Sequence, residues 1–164
     1  MPKPILKIVQ GFIGAGKTTY SKWLASQTGE LRLNADEYCE KNFSKKDLEE
    51  NWDSCFSQAI SNLYVEAENQ LRAGNNVILD FGFWDRKSRD YARDLAHRTG
   101  ADFQHLYLDT PDDIILDRIK MRSGAVADRN LQNFYKLKDC FEVPRADECA
   151  VKVNPMQILN LSHN

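Results

Sequence analysis

Apolar positions along the chain fall into two kinds of run. Ile5–Val9, Val77–Leu79 and Phe103–Leu108 are short, continuous and rich in branched or aromatic residues, which predicts strands of a parallel sheet covered on both faces. Glu30–Leu33 and Cys149–Val153 predict two further short strands. The other runs have helical spacing. Thr18–Ser26 carries Trp23 and Leu24, and from about Ser44 to Arg72 the residues Leu48, Trp52, Phe56, Ile60, Leu63 and Ala67 recur every three or four positions. That spacing predicts one long amphipathic helix closed by Gly74. A further helix is predicted from about Arg86 to Arg98, closed by Gly100. Thr110 reads as an N-cap and Pro111 as the first helical position, and Asp112 and Asp113 complement the dipole of a helix running to about Arg122. A polar stretch, 123–129, then leads to a predicted helix Leu131–Cys140, and a short tail helix follows the last strand. This alternation predicts a three-layer α/β domain with a mostly parallel sheet.

Composition narrows the partners more than the fold. The 164 residues, 42% hydrophobic and 28% charged, suit one domain, and no repeat or linker divides them. Lys and Arg number 22 against 24 Asp and Glu, so no overall charge draws the chain to nucleic acid or an anionic membrane. Cys39, Cys55, Cys140 and Cys149 lie far apart, without zinc or redox spacing. They predict unpaired thiols in a reducing compartment. No apolar run reaches the length of a signal peptide core or a membrane span, which predicts a soluble, cytoplasmic protein.

The chemistry begins at Gly11-Phe12-Ile13-Gly14-Ala15-Gly16-Lys17-Thr18, which fits G-x-x-x-x-G-K-[ST] and lies between a predicted strand and a predicted helix. Glycines let the backbone fold around a phosphate so that successive N–H groups and the helix N-terminus face the anion. Gly14, Ala15, Gly16, Lys17, Thr18 and Thr19 are therefore candidate nucleotide-binding residues. Lys17 is expected to reach the β- and γ-phosphates and the Thr18 hydroxyl to hold Mg2+.

Open α/β sheets bind ligands beyond the carboxyl ends of their strands, and two carboxylates fall there. Asp36 follows the second predicted strand and suits a general base for an attacking hydroxyl, or else caps a helix. Asp80 closes Val77-Ile78-Leu79-Asp80 like a Walker B strand, which suits Mg2+ binding, through water, or support of the acceptor. Phe81, Phe83 and Trp84, followed by Arg86, Lys87 and Arg89, either form an acceptor pocket, with Trp84 and Arg89 as its candidates, or pack under the loop. Seven basic residues against three acidic ones between Arg118 and Arg145 make a local excess of four positive charges. Arg118, Arg122 and Arg129 are candidates for the phosphates, and the segment 123–140 for a lid closing over them.

Taken together, Gly11 to Thr19, Leu33-Asn34-Ala35-Asp36-Glu37, Val77 to Trp84 with Arg86 and Arg89, Tyr107-Leu108-Asp109, Arg118 to Arg122 and Phe141-Glu142-Val143-Pro144 resemble the P-loop kinases related to phage polynucleotide kinase, zeta toxins and chloramphenicol phosphotransferase. The resemblance implies an ATP:hydroxyl phosphotransferase with a five-stranded parallel sheet of order 2-3-1-4-5, helices on both faces and an arginine-bearing lid. It further implies Asp36 as general base, Asp80 as the carboxylate supporting acceptor or metal, and Arg122, assisted by Arg118, on the ATP phosphates. Polynucleotide kinases place an Arg three residues after the base, whereas this chain has Cys39 there. That departure speaks against a polynucleotide acceptor and for a small-molecule hydroxyl compound. A nucleic-acid kinase and a nucleotide-dependent switch stand as alternatives; a GTPase is disfavoured, because Val151-Lys152-Val153-Asn154-Pro155 contains no guanine-reading Asn-Lys-x-Asp motif.

Overall fold

In the computed structural model, which describes residues 2–122, 124–154, 157 and 160, the strands are β1 (Ile5–Gly11), β2 (Leu31–Asn34), β3 (Val77–Gly82), β4 (Asp102–Leu108) and β5 (Val151–Val153). They form one sheet of order β2-β3-β1-β4-β5, parallel at every pairing. The helices are α1 (Lys17–Thr28), α2 (Ala35–Asn42), α3 (Lys45–Glu50), α4 (Trp52–Arg72), α5 (Arg86–Thr99), α6 (Asp112–Met121), α7 (Ala125–Gln132) and α8 (Phe134–Asp139).

Period-two alternation sends neighbouring strand residues to opposite faces. Leu6, Ile8, Val77 and Leu79 pack with Leu63, Ala67, Leu71, Ala92 and Leu95 of α4 and α5. Val9, Ile78 and Leu108 pack on the other face with Tyr20 of α1. Beyond the carboxyl end of β1 a third cluster gathers Phe12, Tyr107, Ile115, Ile119, Phe134 and Phe141. This cluster seats α6 and α8 beside the glycine-rich loop.

Several boundaries differ from expectation for local reasons. The long helix predicted from Ser44 is interrupted at Asn51, whose backbone leaves helical geometry (φ −135°, ψ 38°). Ser44 instead caps the short α3, accepting from Asp47 N–H. The segment Ala35–Asn42 is a helix absent from the apolar pattern because it is mostly polar; its start is set by Asn34, whose Oδ1 accepts from Glu37 N–H at 2.8 Å. Thr110 does not cap α6. Pro111 occupies the N-cap position, while the Thr110 hydroxyl donates to Ala15 O. The stretch expected to be polar coil contains α7, and the helix expected from Leu131 splits at Asn133. The predicted tail helix lies largely outside the described residues.

Arg89 is not at the predicted acceptor pocket. Its guanidinium is fully buried and pairs with the equally buried Glu148, Nε to Oε1 at 2.6 Å and Nη2 to Oε2 at 3.0 Å. The remaining Nη1 donates to Phe83 O and Glu142 O, both at 3.1 Å, so the guanidinium ties the loop after β3 to the segment that carries Glu142 and Glu148. Burial alone would raise the Glu148 carboxyl, but hydrogen bonds from Arg89 and from Arg145 N–H bring it down to about 2. Breaking one partner of such a pair strands a buried charge, so Arg89→Met is expected to cost about 3–5 kcal/mol. Denaturant unfolding tests this: the double variant Arg89→Met/Glu148→Met should be more stable than either single one, and a double variant no better than the singles contradicts the pairing argument. The carboxylate's contribution is present above pH 4.5, the ordinary Glu value, and is lost as pH falls towards 2.

Candidate active site

The loop between β1 and α1 turns because two of its glycines adopt left-handed backbone, Gly14 at φ 78° and Gly16 at φ 100°, a region costly for residues with a Cβ. Gly16 also ends the loop as the N-cap of α1. No side chain caps the helix there, so its first N–H groups face the loop concavity, the geometry that suits an anion. The loop is braced from within and from outside. Ala15 N–H donates to Phe12 O at 3.0 Å, Thr110 Oγ1 donates to Ala15 O at 2.9 Å, and Arg118 Nη1 donates to Gly14 O at 3.0 Å. Arg118 thus holds the cradle itself.

Lys17 Nζ donates to Phe12 O at 3.0 Å. Burial lowers its pKa to about 8; the Asp80 and Asp36 carboxylates oppose that shift, and the Arg122 guanidinium adds to it. The four charges therefore sense one another across the same cleft. Asp36, in the first turn of α2, is raised above the ordinary Asp value, mainly by loss of hydration and then by the Asp80 charge, with Lys17 acting in the opposite sense. A carboxylate raised in this way is a better proton acceptor than one in open water.

Asp80 is buried, and its Oδ2 accepts from Ser21 Oγ at 2.8 Å, Asn34 Nδ2 at 2.9 Å and Arg32 Nη2 at 3.0 Å. Arg32 also donates from Nε to Ser21 Oγ and from Nη1 to Glu37. One carboxylate oxygen thus joins α1, β2 and β3, and through Asn34 it fixes the start of α2.

The candidates divide clearly. Gly14, Gly16, Lys17, Thr18, Thr19, Asp36, Asp80, Trp84 and Arg122 line a single cleft of about 430 Å3. Ala15 is buried behind it and Arg118 braces its wall. Arg129 is exposed on α7, outside the lining, and Arg86 is engaged by Asp90 and Asp147. Phe81 and Trp84 line the cleft while Phe83 is buried beneath it. Sequence reasoning did not select Ser21, Arg32, Asn34 or Thr110, nor Trp52 and Phe56 as cleft walls. The available signal was a charged residue inside the short strand β2, where Arg32 needs a buried counter-charge.

Oxygen donors suit Mg2+, which binds through one or two protein groups together with substrate phosphates. Thr18, exposed at the head of α1, has the right chemistry for direct contact. Asp80 Oδ2 already accepts from three donors, which leaves Oδ1 as the oxygen suited to contact through water. Among the described residues no helix is long and apolar enough to cross a membrane, and Cys39, Cys55, Cys140 and Cys149 are free thiols.

Comparison with solved structures supports this geometry at the level of the fold. A sugar kinase from Janibacter sp. HTCC2649 superposes with a TM-score of 0.68 at 21% identity, covering 98% of this chain and 92% of that one. A gluconokinase from Sinorhizobium meliloti 1021 superposes with a TM-score of 0.65 at 16% identity, covering 99% and 91%. No curated protein sequence matches the chain. The family model described as AAA domain matches residues 6–144, from the second residue of β1 to the segment that closes against Trp84, and the chain accordingly belongs to this family of P-loop kinase-like domains.

Proposed function

We propose that the protein is a kinase transferring the γ-phosphoryl group of ATP, bound with Mg2+, to a hydroxyl group of a small molecule. The observation that carries the reading is the convergence of a phosphate cradle and a carboxylate of raised pKa, Asp36, on one cleft. The choice of ATP, rather than another nucleotide, rests on the resemblance to ATP-using P-loop kinases.

Gly14, Gly16, Thr18 and Thr19 present backbone N–H groups to the phosphates, Ala15 shapes the loop from behind with its N–H held by Phe12 O, and Arg118 keeps that cradle in shape through Gly14 O. Thr18 would hold Mg2+ directly and Asp80 through water, and the ion would supply positive charge against the phosphate oxygens. Asp36 takes the proton of the acceptor hydroxyl as its oxygen bonds to the γ-phosphorus, and the bond from that phosphorus to the bridging oxygen breaks to release ADP. Lys17 and Arg122 stabilise the negative charge on the transferring oxygens. Within a single domain, 1–164, the segment 123–140 serves as the lid. Its base rests on the cradle through Phe134, edge-on to Phe12 at 5.5 Å, and Lys138, whose Nζ lies 4.8 Å from the Phe12 ring centroid, and its closure brings Arg129 towards the phosphates.

Asp36→Asn is expected to lower turnover by about 100-fold or more, the scale of lost general-base catalysis, with ATP affinity largely kept. Equilibrium nucleotide binding alongside steady-state rates separates the two effects, and unchanged turnover removes Asp36 from the base role. Arg122→Ala is expected to lower turnover about 1,000-fold, the scale of an arginine acting on a transferring phosphoryl group; a loss confined to KM would make it a binding residue only. Raising pH removes the Lys17 charge with a midpoint near 8, so kcat/KM for ATP should decline above that pH. A profile flat to pH 10 would contradict the assignment of Lys17 to the phosphates.

A further inference from the structure

The cleft does not end at Asp36. A second, larger concavity of about 1060 Å3 runs between α4 and α5 and shares Phe56, Phe81 and Trp84 with the first. Its lining is unlike that of the phosphate side. Phe81 stacks on Phe83 with ring centroids 5.6 Å apart and planes at 18°, and meets Tyr64 edge-on at 5.5 Å. Tyr64 meets Tyr91 at 4.7 Å, so a continuous ladder of rings leads from the cleft outward, and Ile60 lies along it. Tyr91 is 48% exposed at the outer end.

The acidic groups and Arg98 are committed, while the hydroxyls of Ser57, Ser61 and Tyr64 line the groove beside them. Arg98 donates to Glu68 and lies over the Tyr91 ring, Glu68 is held also by Arg72, and Asp85 caps α5 by accepting from Ser88 N–H at 2.6 Å. Lys87 stands at the lining, while the other cleft cations, Lys17 and Arg122, belong to the phosphate side. The acceptor side therefore combines aromatic faces with the carboxylates Asp36 and Asp80. That combination disfavours a phosphorylated or polyanionic compound, and beyond three hydroxyls and Lys87 the groove offers a fully hydroxylated sugar chiefly ring faces.

Backbone strain marks the junction of the two spaces. Gly82 at φ 90° and Phe83 at φ 52° are consecutive left-handed residues, and a buried aromatic residue rarely adopts that conformation. Arg89, through Phe83 O, holds the turn. The turn lays Phe83 against Phe81 on one side and allows Trp84 to stack on Phe12 at 5.2 Å on the other. Such strain persists where the surroundings over-determine it, and it clusters at ligand clamps.

We infer that the acceptor is a neutral hydroxyl compound with an aromatic or otherwise apolar body, which lies in the groove between α4 and α5 while its hydroxyl reaches Asp36. The inference rests on the kinase reading above and adds the chemical class of the substrate. The commitment to a small-molecule acceptor follows from continuity, because the groove opens into the cleft across three shared side chains.

The test supplies the full-length protein with MgATP and either phenylethanol and naphthylethanol or glycerol, glucose and gluconate, and measures the phosphate ester by mass spectrometry. Calorimetry measures naphthylethanol binding in parallel. Ser61→Trp, at an exposed groove-lining position on α4, fills the groove without truncating the core. The expected result is a preference for the ring-bearing alcohols, with their KM raised about tenfold or more by Ser61→Trp, the scale of discrimination an apolar pocket supplies, and KM for ATP unmoved. Equal or better turnover of glucose or gluconate, or a KM indifferent to Ser61→Trp, overturns the groove assignment and leaves the kinase reading standing. Absence of any ester from all five compounds, with naphthylethanol binding indifferent to Ser61→Trp, overturns both.

Discussion

A buried carboxylate is a demand as much as a support, and Asp80 illustrates both. Its desolvation is unfavourable unless each lone pair finds a donor, and here one oxygen collects Ser21 from α1, Arg32 and Asn34 from β2, while the residue itself sits on β3. Satisfying that group fixes the angle at which α1 leaves the glycine-rich loop and the point at which α2 begins. The relative positions of Lys17 and Asp36 follow from it. The groups that would handle the donor and the acceptor are thus registered against each other by one carboxylate that the sheet places between them.

The same closeness tunes the charges. Lys17 is less basic than an exposed lysine because burial outweighs the help of two carboxylates, and Asp36 is less acidic because burial and Asp80 outweigh Lys17. Each is moved towards neutrality. A triphosphate bound with its metal would reverse the balance at Lys17 by bringing negative charge to it, which makes nucleotide binding and proton uptake at this lysine a coupled event. A second buried pair, Arg89 with Glu148, secures the wall of the proposed acceptor side by holding the strained turn at Phe83. The two ion pairs divide the labour: one sets the groups proposed as catalytic, the other shapes the pocket beside them.

Much of this was legible in the residues because it depends on local rules. The glycine spacing before Lys17 is a backbone requirement, and the continuous apolar strands report burial on both faces; both appear where the pattern put them. The sheet order came with the resemblance rather than from periodicity, which carries no information on which strand neighbours which. What escaped was long-range or polar. Nothing local in Arg89 distinguishes a residue that binds a ligand from one that pairs with Glu148, 59 positions away. Likewise α2 has too few apolar residues to show a period, and Thr110 reads as a cap until Ala15 O is brought beside it. The net charge of −2 conceals an uneven distribution, with carboxylates at the proposed acceptor side and arginines towards the phosphates.

The central claim is that donor cradle and acceptor base serve one transfer. Incubating the protein with ATP labelled in its γ-phosphoryl group and a mixed pool of hydroxyl compounds, and following the label by mass, tests it most directly. The account predicts label in an organic phosphate ester, with ADP formed in equal amount. Label released solely as inorganic phosphate, or found only on a partner protein, would contradict it.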